Sequence, residues 1–324
     1  MVIDKLIKRM QELRAPIVVG LDPHLSQIPD FIKLETATQF QETGRDVPEK
    51  VKNSKIFQNM MTAFCFKSFM KRIIDEVHDL VPAVKLQVAL YEQLGTVGLG
   101  CYFELISYAR QKGLIVIGDI KRSDIASSAI GYSAAHIGFE HDKNDYAAIH
   151  SPADFITLNP YLGKDSIDPF IDDCKKFDRG LFVLVKTSNR CSADIQDVLL
   201  ENGKPLYTHV SKLVSAWGEE EIGELGFSRV GAVVGATHPS EALVIRKLMP
   251  HTFFLVPGYG AQGGSGRDLK DLWIKDTFGM IINSSRGITG AYKSEKHRAD
   301  DKDFALAARE AVFEMKKDLE AYIQ

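Results

Sequence analysis

The sequence is poor in the features that announce a metal site, a membrane span or a nucleic-acid surface. Its four cysteines, Cys65, Cys101, Cys174 and Cys191, stand far apart. No C-x-x-C, H-x-H or H-E-x-x-H spacing occurs, which argues against a structural zinc site; free thiols in a reducing compartment are the plain expectation. No run of about 18 apolar residues exists, so no membrane-spanning helix is expected. Lys and Arg number 40 against 43 Asp and Glu, a net charge of −3, and no basic field for nucleic acid results. The opening segment, "MVIDKLIKRMQELRAP", lacks the apolar core and cleavage site of a signal peptide, and its Asp4 and Glu12 argue against a mitochondrial presequence. A cytoplasmic location is expected. No Pro/Gly/Ser linker and no low-complexity block divides the 324 residues, so one domain over 1–324 is expected.

What is present is a rhythm. Eight apolar runs read as buried strands: 16–23, 82–88, 114–121, 155–161, 181–188, 230–236, 252–258 and 280–287. Helix-patterned stretches such as "CYFELISYARQKG" lie between them. Val/Ile/Leu-rich strands that alternate with helices imply a parallel sheet. Eight such units favour a closed (β/α)8 TIM barrel over an open sheet. The spacing is broken once, by an insertion over about 24–80 between strands one and two. It reads as a polar loop (roughly 35–52) followed by a long helix (roughly 54–79).

In this fold the active site lies at the C-terminal strand ends, so the polar residues that close each run are the candidates: Asp22, Lys85, Asp119, Lys121, Asn159, Ser188, Gln262 and Arg286. The segment "GDIKRSDI" (118–125) is the densest of these. Asp119 and Lys121 are two apart on a strand and share a face. If Ile117 faces the barrel interior, both line its mouth. Lys85 closes the preceding strand, and Asp124 follows where the strand turns into a helix. The order Lys85–Asp119–Lys121–Asp124 alternates in sign, which is what a low-dielectric mouth requires. The plain alternative is a strand exit with solvated ion pairs.

Downstream, "GYGAQGGSG" (258–266) holds five glycines in nine positions after strand seven, and "NSSRG" closes strand eight with Arg286 and the N–H of Gly287. Loops after strands seven and eight are where barrels commonly hold phosphate, and glycine lets backbone N–H groups turn to an anion. "KTSN" closes strand five; taken alone, Thr187-Ser188 is a turn signal. His24, His136 and His238 have no metal or triad spacing and read as core or surface residues. Lys164 and Lys186 read as surface lysines or as supports behind the site.

These segments together resemble the orotidine 5′-phosphate decarboxylase family, from about residue 16 to about 290. The carriers are D-x-K-x-x-D-I at Asp119, Lys121, Asp124 and Ile125, Lys85 at the end of strand two, and Asp22 in "GLDP". Ala126 stands where that family commonly has glycine or proline, Ser128 where it has threonine, and Ser285 where it often has glycine.

The resemblance implies that Gln262 and Arg286, with Gly287, grip the substrate phosphate, and that Ser188 contacts the pyrimidine. It puts Asp22 and Lys85 at the ribose, and it has Asp124, Ile125 and Ser128 reach the partner's site in a homodimer with shared sites. It further implies decarboxylation of orotidine 5′-monophosphate to uridine 5′-monophosphate without metal or other cofactor, the last step of de novo UMP synthesis. Lys121 would stabilise and protonate the C6 carbanion. Two other readings stay open: a related magnesium-dependent sugar-phosphate decarboxylase or aldolase, and a non-catalytic phosphometabolite-binding barrel.

Overall fold

The structure, a computed structural model, describes residues 1–42, 48–138, 152–260, 263–297 and 300–323. Eight parallel strands close on themselves in sequence order: β1 (Ile17–Gly20), β2 (Ala83–Gln87), β3 (Ile115–Arg122), β4 (Phe155–Leu158), β5 (Gly180–Lys186), β6 (Ser228–Val234), β7 (Thr252–Val256) and β8 (Met280–Ser284). Each overlaps one of the eight runs predicted from sequence, with β3, β5 and β6 extending one or two residues beyond theirs, and β8 pairs back onto β1 through Val18 and Asn283. The fold is a (β/α)8 barrel.

Two apolar layers follow from the period-two alternation of strand side chains. Ile17 and Val19 face the outer helices, whereas Val18 faces inward. Val18 meets Ala83, Ile117, Phe155, Phe182, Phe253 and Ile281 inside the barrel. Phe155 and Phe182 stack there at 5.1 Å between ring centroids. The N-terminal helix α1 (Val2–Leu13) plugs the bottom of this layer with Val2, Ile3, Leu6, Ile7 and Met10. Asp4 fixes the plug by accepting the Leu225 N–H at 2.9 Å. This helix closes the barrel interior at its N-terminal end, and the cavity over the barrel opens at the C-terminal strand ends.

The insertion carries more helix than its sequence suggests. The long helix runs Lys55–Val77, capped by Ser54, whose hydroxyl accepts the Phe57 N–H. The first part of the expected polar loop is instead a helix, Asp30–Glu42; 43–47 lie outside the described residues. That helix has no clear apolar stripe, with only Ile32 and Thr36 buried, so its periodicity is weak. It is held by side chains the local sequence does not pair: Arg72 donates to Glu35 at 2.6 Å, and the Phe40 and Phe57 rings meet edge-on at 5.2 Å. Among the described residues no helix is long and apolar enough to cross a membrane. Cys65, Cys101 and Cys174 are buried free thiols, and Cys191 is an exposed one.

Candidate active site

The inward face of each strand changes character at one height. On β2, Ala83 belongs to the apolar layer, then Lys85 and Gln87 follow on the same face. On β3 the series is Ile117, Asp119, Lys121; on β4 it is Phe155, Thr157; past β8 it is Ile281, Asn283, Ser285. On β1, Val18 gives way to Gly20 and then Asp22. These polar residues line a cavity of about 570 Å3 over the barrel mouth. Parallel register sets their neighbours, since Gly20 pairs with Lys85, and Gln87 with Asp119.

Asp119 is the hub. Its Oδ2 accepts from Lys85 Nζ at 2.9 Å and from Gln87 Nε2 at 3.1 Å. Its Oδ1 accepts from Lys121 Nζ at 2.5 Å and from Thr157 Oγ1 at 2.8 Å. Burial alone would raise its pKa, but Lys85 and Lys121 outweigh burial and hold the carboxyl well below the usual range. Burial likewise works against the charge on Lys85. Asp119 and Asp22, the latter 3.7 Å away, overcome it and push the ammonium pKa from 10.5 up to about 12. The array carries two ammonium and two carboxylate groups, so its formal charge is zero.

Lys121 reaches the mouth by a backbone irregularity. The β3–β4 register shifts between Gly118 and Arg122, and Lys121 has φ of 45°. A left-handed residue with a Cβ costs about 1–2 kcal/mol. The strain is locked by Thr157, whose Oγ1 accepts the Lys121 N–H at 3.0 Å while donating to Asp119. Strain maintained by its surroundings is typical of functional sites. Arg122 leaves the array and pairs with Glu92.

The expected in-chain alternation needs one correction. Asp22 completes the array in this chain, and Asp124 does not. Asp22 accepts the Gln87 N–H at 3.2 Å and the Ser285 hydroxyl at 2.6 Å. Asp124 instead accepts the N–H of Ile125 at 2.8 Å, which turns it into the start of the following helix, Ala126–Ser133. Ile125 is 61% exposed, and Ser128 is exposed as well. None of the three lines this chain's cavity.

Ser188 and Arg286 do line it, and Gly287 follows Arg286 in a single helical turn, Arg286–Thr289. Gln262 lies outside the described residues. On either side of it Gly258, Gly260 and Gly263 take φ of 101°, 69° and 95°, which only glycine adopts freely. Gly260 N–H donates to Gly264 O at 2.7 Å. Asp318 holds both flanks, accepting from the Tyr259 hydroxyl at 2.7 Å and the Gly266 N–H at 3.0 Å.

Sequence reasoning missed Gln87, Thr157, Asn283 and Ser285. Each continues the period-two inward face of its strand, and that was the available signal. His24, expected in the core or at the surface, is exposed at the rim of the cavity. Asn159 does not line the cavity, and its Oδ1 accepts the Tyr161 N–H. Lys186 is fully buried, which fits the second of its two expected roles, a support behind the site, and not the first, a surface lysine. Among the described residues no group of three or more His, Cys, Asp or Glu side chains is arranged to hold a metal ion.

A closed parallel barrel with a strained lysine, two carboxylates and a second lysine over its open mouth defines a class, the (β/α)8 enzymes that work with a lysine–carboxylate centre. Within that class, a family model described as "Orotidine 5'-phosphate decarboxylase / HUMPS family" matches residues 16–299, and the chain belongs to that family. It is 42% identical to orotidine 5′-phosphate decarboxylase from Caldicellulosiruptor bescii, over 94% of this chain and 95% of that one. It is similar to the solved OMP decarboxylase of Leishmania donovani, with a TM-score of 0.70 and 28% identity over 99% and 98% of the two chains. UMP synthase of the same organism also matches, with a TM-score of 0.69 and 29% identity over 99% of this chain; the chain spans 55% of that longer protein.

Proposed function

We propose that the protein decarboxylates orotidine 5′-monophosphate to uridine 5′-monophosphate and carbon dioxide without a cofactor, as the last step of de novo UMP synthesis. One observation carries the reading: Lys121 Nζ lies 2.5 Å from Asp119 Oδ1, over a barrel mouth, in an array that also fixes Lys85 and Asp22. The curated relatives' name supports the choice of substrate.

In the reaction the C6–carboxylate bond breaks, carbon dioxide departs, and the electron pair stays on C6. With no electron sink, that pair needs a cation already in place. Lys121 supplies it and then transfers a proton to C6; water later restores the proton. Preorganised charge of this kind avoids reorganisation during the reaction, and loss of one donor typically costs about 10²–10³ in rate. Asp119 holds Lys121 and sets a negative charge beside the substrate carboxylate, which favours its departure. Lys85 and Asp22 meet the ribose, Ser188 the pyrimidine, and Gln262, Arg286 and the Gly287 N–H the phosphate. Phosphate binding far from the reacting carbon supplies energy for holding the base against the array.

The working unit in this reading is a cytoplasmic homodimer of one-domain chains. Asp124, Ile125 and Ser128 then complete the partner's site. Their exposure, beside Ile130 at 60%, supports that assignment. Mixing inactive Lys121→Ala and Asp124→Ala chains restores one intact site per mixed dimer. Absence of any recovery from two folded variants would refute sharing. The central test follows ultraviolet loss of orotidine 5′-monophosphate with and without EDTA. Wild type turns over in both conditions, and Lys121→Ala falls below about a hundredth of the wild-type rate. A wild type that leaves the nucleotide intact ends the proposal, and one that needs added magnesium points to a metal-dependent relative instead.

A further inference from the structure

Ser188 has a support that the reading above does not use. The chain leaves β5 as Lys186, Thr187, Ser188 and returns after a short excursion as Gln196, Asp197. The two segments are stitched side chain to chain, one pair after another. Lys186 Nζ donates to Asp197 Oδ1 at 2.6 Å. Gln196 Nε2 donates to Thr187 Oγ1 at 2.7 Å, and Gln196 Oε1 accepts the Thr187 N–H at 3.0 Å. The Thr187 hydroxyl in turn donates to Asn189 Oδ1 at 2.6 Å. Thr187 is therefore held through both its backbone and its hydroxyl by one carboxamide, and Gln196 itself lines the cavity.

The other side of Ser188 is equally restrained. A Cβ on Gly235 would lie 2.9 Å from the Ser188 N, Cα and Cβ atoms, so the residue that follows β6 is the one type that lets Ser188 sit there. Gly235 N–H also donates to Lys186 O at 2.7 Å. The Ser188 hydroxyl, by contrast, has no hydrogen-bond partner among the described residues, and Ser188 lines the cavity. A backbone fixed on two sides with a free hydroxyl between them is the arrangement expected of a ligand contact. The anchor lies deeper: Lys186 is fully buried, with its ammonium 5.6 Å from the Tyr207 ring centre, so Asp197 is its required counter-charge.

We propose that Gln196 is a positioning residue for base recognition: it clasps Thr187 so that the Ser188 hydroxyl is presented to the pyrimidine. This rests on the substrate assignment above. The clasp acts at the base end and touches neither the charge array nor Arg286. It therefore sets affinity for the base without altering the grip on sugar and phosphate.

The test measures binding of uridine 5′-monophosphate and of ribose 5-phosphate by calorimetry, to wild type, Gln196→Ala, Gln196→Glu, Thr187→Val and the double Thr187→Val/Gln196→Ala. Gln196→Ala weakens the nucleotide by about tenfold, in the range of one lost fixed hydrogen bond, and leaves ribose 5-phosphate within about twofold. Gln196→Glu keeps the acceptor for the Thr187 N–H and replaces the Nε2 donor by an oxygen, which the Thr187 hydroxyl meets by turning its proton from Asn189 Oδ1, so most of the nucleotide affinity is kept. The double variant is no worse than Gln196→Ala, since both changes break one clasp. In turnover, kcat/KM for orotidine 5′-monophosphate falls by the same factor as nucleotide affinity. Equal loss for both ligands would mean general damage and overturn the proposal, as would wild-type nucleotide affinity in Gln196→Ala. Failure of the substrate assignment is seen separately, in a wild type that binds no nucleotide and consumes none.

Discussion

Lys85 is the residue whose removal tests the electrostatics most directly. It is 5% exposed and sits between Asp119, at 2.9 Å, and Asp22, at 3.7 Å. Replacing it with Met keeps the apolar stem and removes the ammonium. Asp119 is itself 6% exposed and loses one of its two cationic partners. Breaking a buried pair from one side typically costs about 3–5 kcal/mol, because the remaining charge stays desolvated. With an unfolding entropy of about 2.1 cal/mol/K per residue, that corresponds to a fall in Tm of roughly 4–7 °C for a chain of this size. The penalty has a signature. In the variant the orphaned carboxylates escape by binding protons, so the gap to wild type narrows as pH falls from about 7.5 toward 4.5. Thermal melts followed by circular dichroism at several pH values give both quantities. A second replacement, Asp119→Asn in the Lys85→Met background, removes the orphaned charge and recovers part of the loss. If Lys85→Met melts with wild type at neutral pH, or if its deficit is constant with pH, the array is solvated and the reasoning fails.

Other expectations concern the surroundings of the array. Since the folded pKa of Lys85 is raised from 10.5 to about 12, its stabilising contribution is complete below 10.5 and disappears as pH climbs through about 12. The shift is worth about 2 kcal/mol, and an alkaline denaturation curve should show that loss in wild type but not in Lys85→Met. A Cβ on Gly20 would lie 1.8 Å from Ser285 Oγ, so Gly20→Ala drives that hydroxyl off Asp22. Overpacking there costs about 1–3 kcal/mol, and Ser285→Gly added to it restores most of the melting temperature; an unaffected single variant would show that the contact is not tight. Asp318→Ala frees both flanks of the glycine loop and should weaken uridine 5′-monophosphate several-fold while uridine binding is unchanged. Equal weakening of both ligands would separate Asp318 from the phosphate end.

Much of this was legible in the chain. Eight apolar runs with helices between them suffice for a closed barrel, because each run is buried on both faces and each connection is long enough for a parallel crossover. Asp22, Lys85, Asp119, Lys121, Ser188 and Arg286 were legible as strand-end residues, since that end of this fold is the open one. The helix Asp30–Glu42 was not legible, because its contacts come from Arg72 and Phe57, well downstream in sequence. Nor were the partners of Lys186, since Asp197 and the Tyr207 ring are brought to it by the path after β5.

Sequence alone therefore determined the architecture and the height at which the barrel turns from apolar to charged, because both follow from a period of two along each strand. Tertiary structure decided which charges meet. It put Asp22 in the array and left Asp124 out, since register across β1, β2 and β3 brings the first beside Lys85 while a helix start carries the second away. It also decided that Lys121 reaches Asp119 through a bulge and a left-handed backbone that Thr157 holds in place, a conformation that no local pattern encodes.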